Sequence, residues 1–233
     1  MHPIPWWAGL AFLALLPLAV VAVARGRAWL CFLGGGAAWY LAILLKQVLD
    51  PAVQERLYAP TAGAELATAT ALGLVSALTE LGSASALLWP RLRTIAAVAV
   101  GLGAGWCELC STLLEAHKEV AVAAMPTALG GWFLFERALT AAGHVSSRLL
   151  VFAAFQRRSV WLGLAAVALF AVVDGIAVHE QLVQARPGAS GTDDLGAATY
   201  VAESVATPLE LLLVWLLLRP RTDRAANNVD GAG

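Results

Sequence analysis

Charge is scarce in this sequence. Asp, Glu, Lys and Arg make up only 13% of the 233 residues, about half the share found in soluble domains. Fifteen basic residues against sixteen acidic ones leave a formal net charge of −1 and no basic stripe, which excludes a nucleic-acid partner. Cysteine is scarce too. Cys31, Cys107 and Cys110 all lie in apolar surroundings, which excludes a disulfide framework. Before residue 219 there is almost no polar sequence in which a water-soluble catalytic domain could fold, so any chemistry has to sit among apolar helices.

What is present is mostly apolar. Hydrophobic residues make up 60% of the chain and gather in runs of about 20 residues, each long enough to cross a hydrocarbon core. Apolar windows predict seven helices, over roughly 6–24, 28–49, 64–89, 94–115, 127–155, 159–182 and 195–218. The expected fold is all-α: a polytopic membrane helix bundle of about seven transmembrane helices. It forms a single transmembrane domain over 1–218, followed by a disordered cytoplasmic tail over 219–233. Lys and Arg accumulate on the cytoplasmic side of membrane proteins. Arg25 and Arg27 follow the first segment, Arg91 and Arg93 the third, Arg157 and Arg158 the fifth, and Arg219, Arg221 and Arg224 the seventh. These clusters share one side, predicting the N-terminus out and the C-terminus in, within a bacterial inner (cytoplasmic) membrane. Ala22-Val23-Ala24 looks like a cleavage site, but the arginines follow the first segment instead of preceding it, which is the charge order of a retained span. Trp6, Trp7, Trp29, Trp89 and Trp161 fall near segment ends, where aromatic rings anchor at the interface.

A carboxylate or imidazole in hydrocarbon costs at least about 2.5 kcal/mol, so each needs a partner, a cavity or water. The segments nevertheless carry Glu80, Glu108, Glu136, Arg137, His144, Arg148, Asp174, His179, Glu180, Glu203 and Glu210. Counting from the arginine clusters at about 1.5 Å per residue places Glu80 at about 16 Å, His144 at about 20 Å, Glu108 at about 22 Å, and Asp174 and Glu203 at about 24 Å. Five polar groups from five helices in one layer predict a shared chamber. Adjacent residues on a helix do not face each other, so Glu136 and Arg137 are each expected to pair elsewhere, Arg137 with Glu108 or Glu203. Gly175 after Asp174 suggests a kink or thinning that lets water reach the carboxylate. Gly101-Leu102-Gly103-Ala104-Gly105 has the glycines of a phosphate loop but no preceding strand, and close packing of helices through small residues accounts for it. Cys107 and Cys110 lack a second cysteine pair and are accounted for by burial. The seventh segment has no Lys, which removes a retinal-binding reading. For each ionisable group, a structural ion pair or a hydrogen-bonded core residue stands beside the functional reading.

Taken together, Gly101-Leu102-Gly103-Ala104-Gly105-Trp106-Cys107-Glu108, then Glu136-Arg137 with His144 eight residues after the Glu, then Asp174-Gly175 on the next helix, form a pattern. It resembles the YhfC family of intramembrane proteases, which is related to the CPBP group whose members process CAAX proteins. With Gly73 to Glu80 on the third segment, the resemblance spans most of the chain. It implies a catalytic set of Glu80, Glu108, His144 and Asp174, supported by Glu136, Arg137 and Glu203. The departures are specific. The family shows a Glu-Glu pair followed by Arg on the third helix, where Glu80 here has Thr79 before it and Leu81 after it. The family also carries a His where this chain has Ala104 and another where it has Phe170.

Peptide hydrolysis needs a group to activate water and a donor for the developing oxyanion. Glu80 as base with His144 as donor is a minimal version. No cofactor is expected, and a zinc site is disfavoured because only His144 offers nitrogen at this depth while catalytic zinc usually has three good protein ligands. Two readings stand. One is a glutamic-type intramembrane protease acting on a membrane-embedded or interfacial peptide. The other is a non-catalytic descendant whose chamber binds or assembles a protein partner in the bilayer. A proton-coupled carrier is a third class, without the inverted repeat or broken helices that would mark one.

Overall fold

The computed structural model describes residues 14–15, 17–22, 26–87, 94–119, 127–186 and 197–218. Among the described residues there are helices and no strands. The first segment is represented by α1, with helical residues 17–22. It is followed by α2 (Ala28–Leu57), α3 (Ala62–Ser85), α4 (Thr94–Glu119), α5 (Thr127–Arg157), α6 (Val160–Gln184) and α7 (Ala197–Leu218). Five stretches are long and apolar enough to cross a membrane: Ala28–Leu57, Ala62–Ser85, Thr94–Thr112, Phe135–Arg157 and Val160–Gln184. The chain is all-helical with the composition of a multi-pass membrane protein. The tail over 219–233 lies outside the described residues, as does most of the first segment.

Three boundaries differ from the sequence reading by four residues or more, one of them the end of α3, at Ser85 and not 89. α2 was expected to stop at 49 but runs to Leu57, with Pro51 inside it. Proline removes a hydrogen-bond donor and crowds the preceding turn, and α2 tolerates this less than two turns from its end. Asp50, Glu55 and Arg56, expected in a loop, are therefore helical. Likewise α4 continues past 115 to Glu119.

The helices close into a ring. α2 packs on α3 and α4, α3 on α6, α6 on α7, α7 on α5, and α5 back on α4. Glycines set the closest crossings. A Cβ at Gly73 on α3 would overlap the Ala171 carbonyl oxygen of α6 and lie 2.8 Å from the Gly175 Cα. A Cβ at Gly35 on α2 would overlap the Val100 carbonyl oxygen of α4, and one at Gly103 on α4 would overlap the Phe32 carbonyl oxygen of α2. Small residues thus let backbones meet directly, the usual device where hydrocarbon surrounds the helices. Gly175 serves this contact, and α6 is one continuous helix through it, while Asp174 beside it is partly buried and lines the cavity.

The two halves of the ring are filled differently. Leu81 and Ala84 of α3, Ala97 and Val100 of α4, Leu149 to Phe152 of α5, Ala166 of α6 and Val214 of α7 form a tightly buried apolar cluster. It occupies the half of the bundle that ends at Arg157 and Arg158. Here α5 turns into α6 within two residues, with Arg158 in the left-handed region (φ 51°) and the Ser159 hydroxyl accepting from the Leu162 amide at 3.4 Å. The other half encloses a cavity of about 500 Å³. The same half of the bundle is tied by Arg186, paired with the wholly buried Glu65 of α3, and by Glu180, which accepts from the Ala198 amide at 2.8 Å and the Thr199 hydroxyl at 2.5 Å at the start of α7. The outer faces are apolar: Leu30 and Val48 of α2, Trp161 of α6 and Val201 of α7 are all well exposed. Apolar side chains outside and ionisable ones inside suit a surrounding of lipid.

Candidate functional site

Glu80, Glu108, Glu136, Arg137, His144, Asp174 and Glu203 all line the cavity. They come from α3, α4, α5, α6 and α7, so the shared chamber expected from their common depth is present. His144 sits at the centre and is only 3% exposed. Its Nε2 lies 2.5 Å from Glu108 Oε2, and its Nδ1 lies 3.8 Å from Glu80 Oε2. Nδ1 has no hydrogen-bond partner.

Two cations hold Glu80. The Lys46 ammonium of α2 donates to Oε1 at 2.9 Å, and the Arg148 guanidinium of α5 donates to Oε2 at 3.1 Å. Ser76, one turn earlier on α3, has its hydroxyl oxygen 3.4 Å from Oε1 and accepts from Lys46 at 3.0 Å. His144 Nδ1, 3.8 Å from Oε2, is beyond hydrogen-bond reach, so Glu80 is held chiefly by the two cations.

Glu108 is arranged otherwise. Oε1 accepts from Arg137 at 3.2 Å, Oε2 faces His144, and the side chain is 23% exposed to the cavity. Arg137 also receives Thr112 as an acceptor at 3.2 Å. Contrary to the expectation for adjacent residues, Arg137 pairs with Glu136 through both Nε and a terminal nitrogen, because both long side chains turn inward to the same cavity wall. The expected Arg137–Glu108 pair is present as well.

Asp174 accepts from Ser76, and Glu210 accepts from Ser146. The Thr140 hydroxyl shares its single proton between Glu203 Oε1 at 3.1 Å and Glu136 Oε1 at 3.2 Å. Phe170 stacks obliquely on His144, with ring centroids 6.0 Å apart, and lies under the Arg148 guanidinium, 5.2 Å from the ring centroid. The position where the resembled family carries a His is here an aromatic platform for two site residues, and a cation over an aromatic face is attracted to it.

Sequence reasoning missed Lys46. It lies three residues before the expected end of its segment at 49, where a lysine reads as an interfacial anchor. Only the continuation of α2 to Leu57 places it inside the bundle. Together with Arg148 it supplies the positive charge at Glu80. Among the described residues, no group of three or more His, Cys, Asp and Glu is disposed to hold a metal ion. No family model, no curated protein and no solved structure matches the chain.

Proposed function

We propose that the chain is an intramembrane glutamic-type peptidase of seven spans, N-terminus out and C-terminus in, in a bacterial inner membrane, cutting a membrane-embedded or interfacial peptide. One observation carries the reading: His144 is bracketed by Glu108 and Glu80 on the wall of a cavity large enough for a stretch of peptide. Its neighbours divide the work. Glu108 keeps lone pairs and exposure to the cavity, so it is the group that takes a proton from water. The water oxygen then attacks the scissile carbonyl carbon. Lys46, 18% exposed beside Glu80, and the His144 ring stand where the developing oxyanion can be met. Collapse breaks the C–N bond, and the proton held by the Glu108–His144 pair passes to the leaving amine. Glu80, held by Lys46 and Arg148, fixes these two cations beside His144 and is assigned the positioning role.

The test is cleavage of reporter peptides embedded in liposomes with the purified protein. Glu108→Gln and His144→Ala are each expected to slow cleavage by about 10²-fold or more, with thermal unfolding within a few degrees of the parent. Wild-type rates in both variants overturn the assignment. If the parent cuts nothing, uptake of solute driven by a pH gradient identifies a carrier, and absence of both activities identifies a non-catalytic chamber protein.

A further inference from the structure

The hydrogen bonds around the cavity divide its carboxyl groups into two sets. Glu80, Glu108 and Glu136 each take a bond from Lys46, Arg137 or Arg148. Asp174, Glu203 and Glu210 take theirs from the hydroxyls of Ser76, Thr140 and Ser146. Within the second set Glu203 stands apart. It is 7% exposed, it lines the cavity, and its Oε2 is buried without a hydrogen-bond partner while Oε1 accepts from Thr140. A buried carboxylate oxygen left unmatched is costly, the more so inside a membrane protein. The groups around it do not bond this oxygen: Thr140 faces Oε1, Glu136 is of like charge, and the Arg137 guanidinium, near enough to attract Glu203, donates to Glu136, Glu108 and Thr112.

Glu203, Thr207 and Glu210 follow one another at spacings of four and three residues, so they form one stripe of α7, and all three are buried against the cavity. The His144–Glu108 pair lines the same cavity. A ligand that reaches His144 can therefore also present a group to Glu203.

We propose that Glu203 is the recognition subsite for a cationic side chain, Lys or Arg, of the peptide that enters the cavity. An ammonium or guanidinium there gives Oε2 the charged donor it lacks, and a charge-assisted bond of this kind is among the stronger ones available. The substrate class rests on the peptidase reading, but the subsite is tested by binding alone.

The probes are two hydrophobic peptides, one with a single central Arg and the other with neutral citrulline in its place, titrated against the full chain in detergent micelles at pH 7. The Arg peptide is expected to bind at least tenfold more tightly. In Glu203→Gln the ratio is expected to fall to near one with the unfolding temperature kept, while Glu210→Gln retains it. A ratio of one in the parent chain from pH 6 to pH 9 overturns the proposal, showing that a proton and not a cation satisfies Glu203. A ratio that survives Glu203→Gln overturns it too. If that variant fails to fold, the parent ratio and its persistence in Glu210→Gln still decide. Tenfold discrimination without cleavage of either peptide leaves the subsite standing and removes the peptidase reading; cleavage without discrimination does the reverse.

Discussion

Glu80 and Glu108 lie either side of one imidazole, yet they are embedded to different degrees, and substitution separates them. Glu80→Gln leaves Lys46 and Arg148 facing an amide in the interior, and removing one partner of a buried pair typically costs about 3–5 kcal/mol. A large fall in unfolding temperature is expected, and any loss of activity accompanies it. Glu108→Gln, in a more open position with Arg137 still held by Glu136, is expected to affect turnover and leave unfolding nearly unchanged. Side-by-side unfolding scans in one detergent check the contrast, and equal stability of the two variants contradicts it. Much of this residue layer was legible in the sequence. Glu80, Glu108, His144, Asp174 and Glu203 stand out because ionisable groups are rare in apolar runs. Arg137 was legible as a partner of Glu108, but the partners of Glu80 were not. Arg148 is 68 positions from Glu80, and nothing in linear spacing ties the two. Lys46 was hidden by its nearness to an expected boundary.

At the level of elements, the crossing of α3 and α6 sets the position of Ser76 against Asp174. Gly73→Ala places a methyl against backbone on both sides, the Ala171 carbonyl and Gly175, which cannot give way as a side-chain tip can. Overpacking of this kind typically costs about 1–3 kcal/mol. Spreading the helices also draws Ser76, one turn along, away from Asp174. Gly82→Ala on the same helix meets nothing within 4 Å, so it is expected to be neutral or to stabilise by up to about 1 kcal/mol through helix propensity. Unfolding temperatures of the two single variants test the pair, and an equal effect removes the packing argument. The six described long helices were legible from apolar windows, and the glycines of 101–105 read correctly as packing: a Cβ at Gly101 would lie 2.5 Å from the Val145 Cα. The packing use of Gly175 was not legible, because it depends on Gly73, about a hundred residues earlier. The end of α2 was misread because Asp50-Pro51 carries the signature of a helix stop.

For the whole molecule, the two unlike halves of the ring give it a direction. The apolar cluster closes the half ending at Arg157 and Arg158, and the cavity occupies the half bounded by Glu65, Arg186 and Glu180. On the proposed orientation, with the arginine-rich side cytoplasmic, a reporter fused after Leu218 is expected to report the cytoplasm, and a membrane-impermeant thiol reagent added from outside is expected to label Tyr58→Cys, at the opposite end of α2. A cytoplasmic signal for Tyr58→Cys reverses the orientation. The ring itself was not legible, because the order of helices around it depends on contacts between distant segments. Chain order also bears on how such a molecule is made. Lys46 precedes Glu80 by 34 residues and Arg148 follows it by 68. As the nascent chain is threaded into the bilayer, α3 therefore arrives with one counter-ion already waiting in α2, long before α5 delivers the second. The lysine that sequence reading passed over is the escort that lets Glu80 enter lipid.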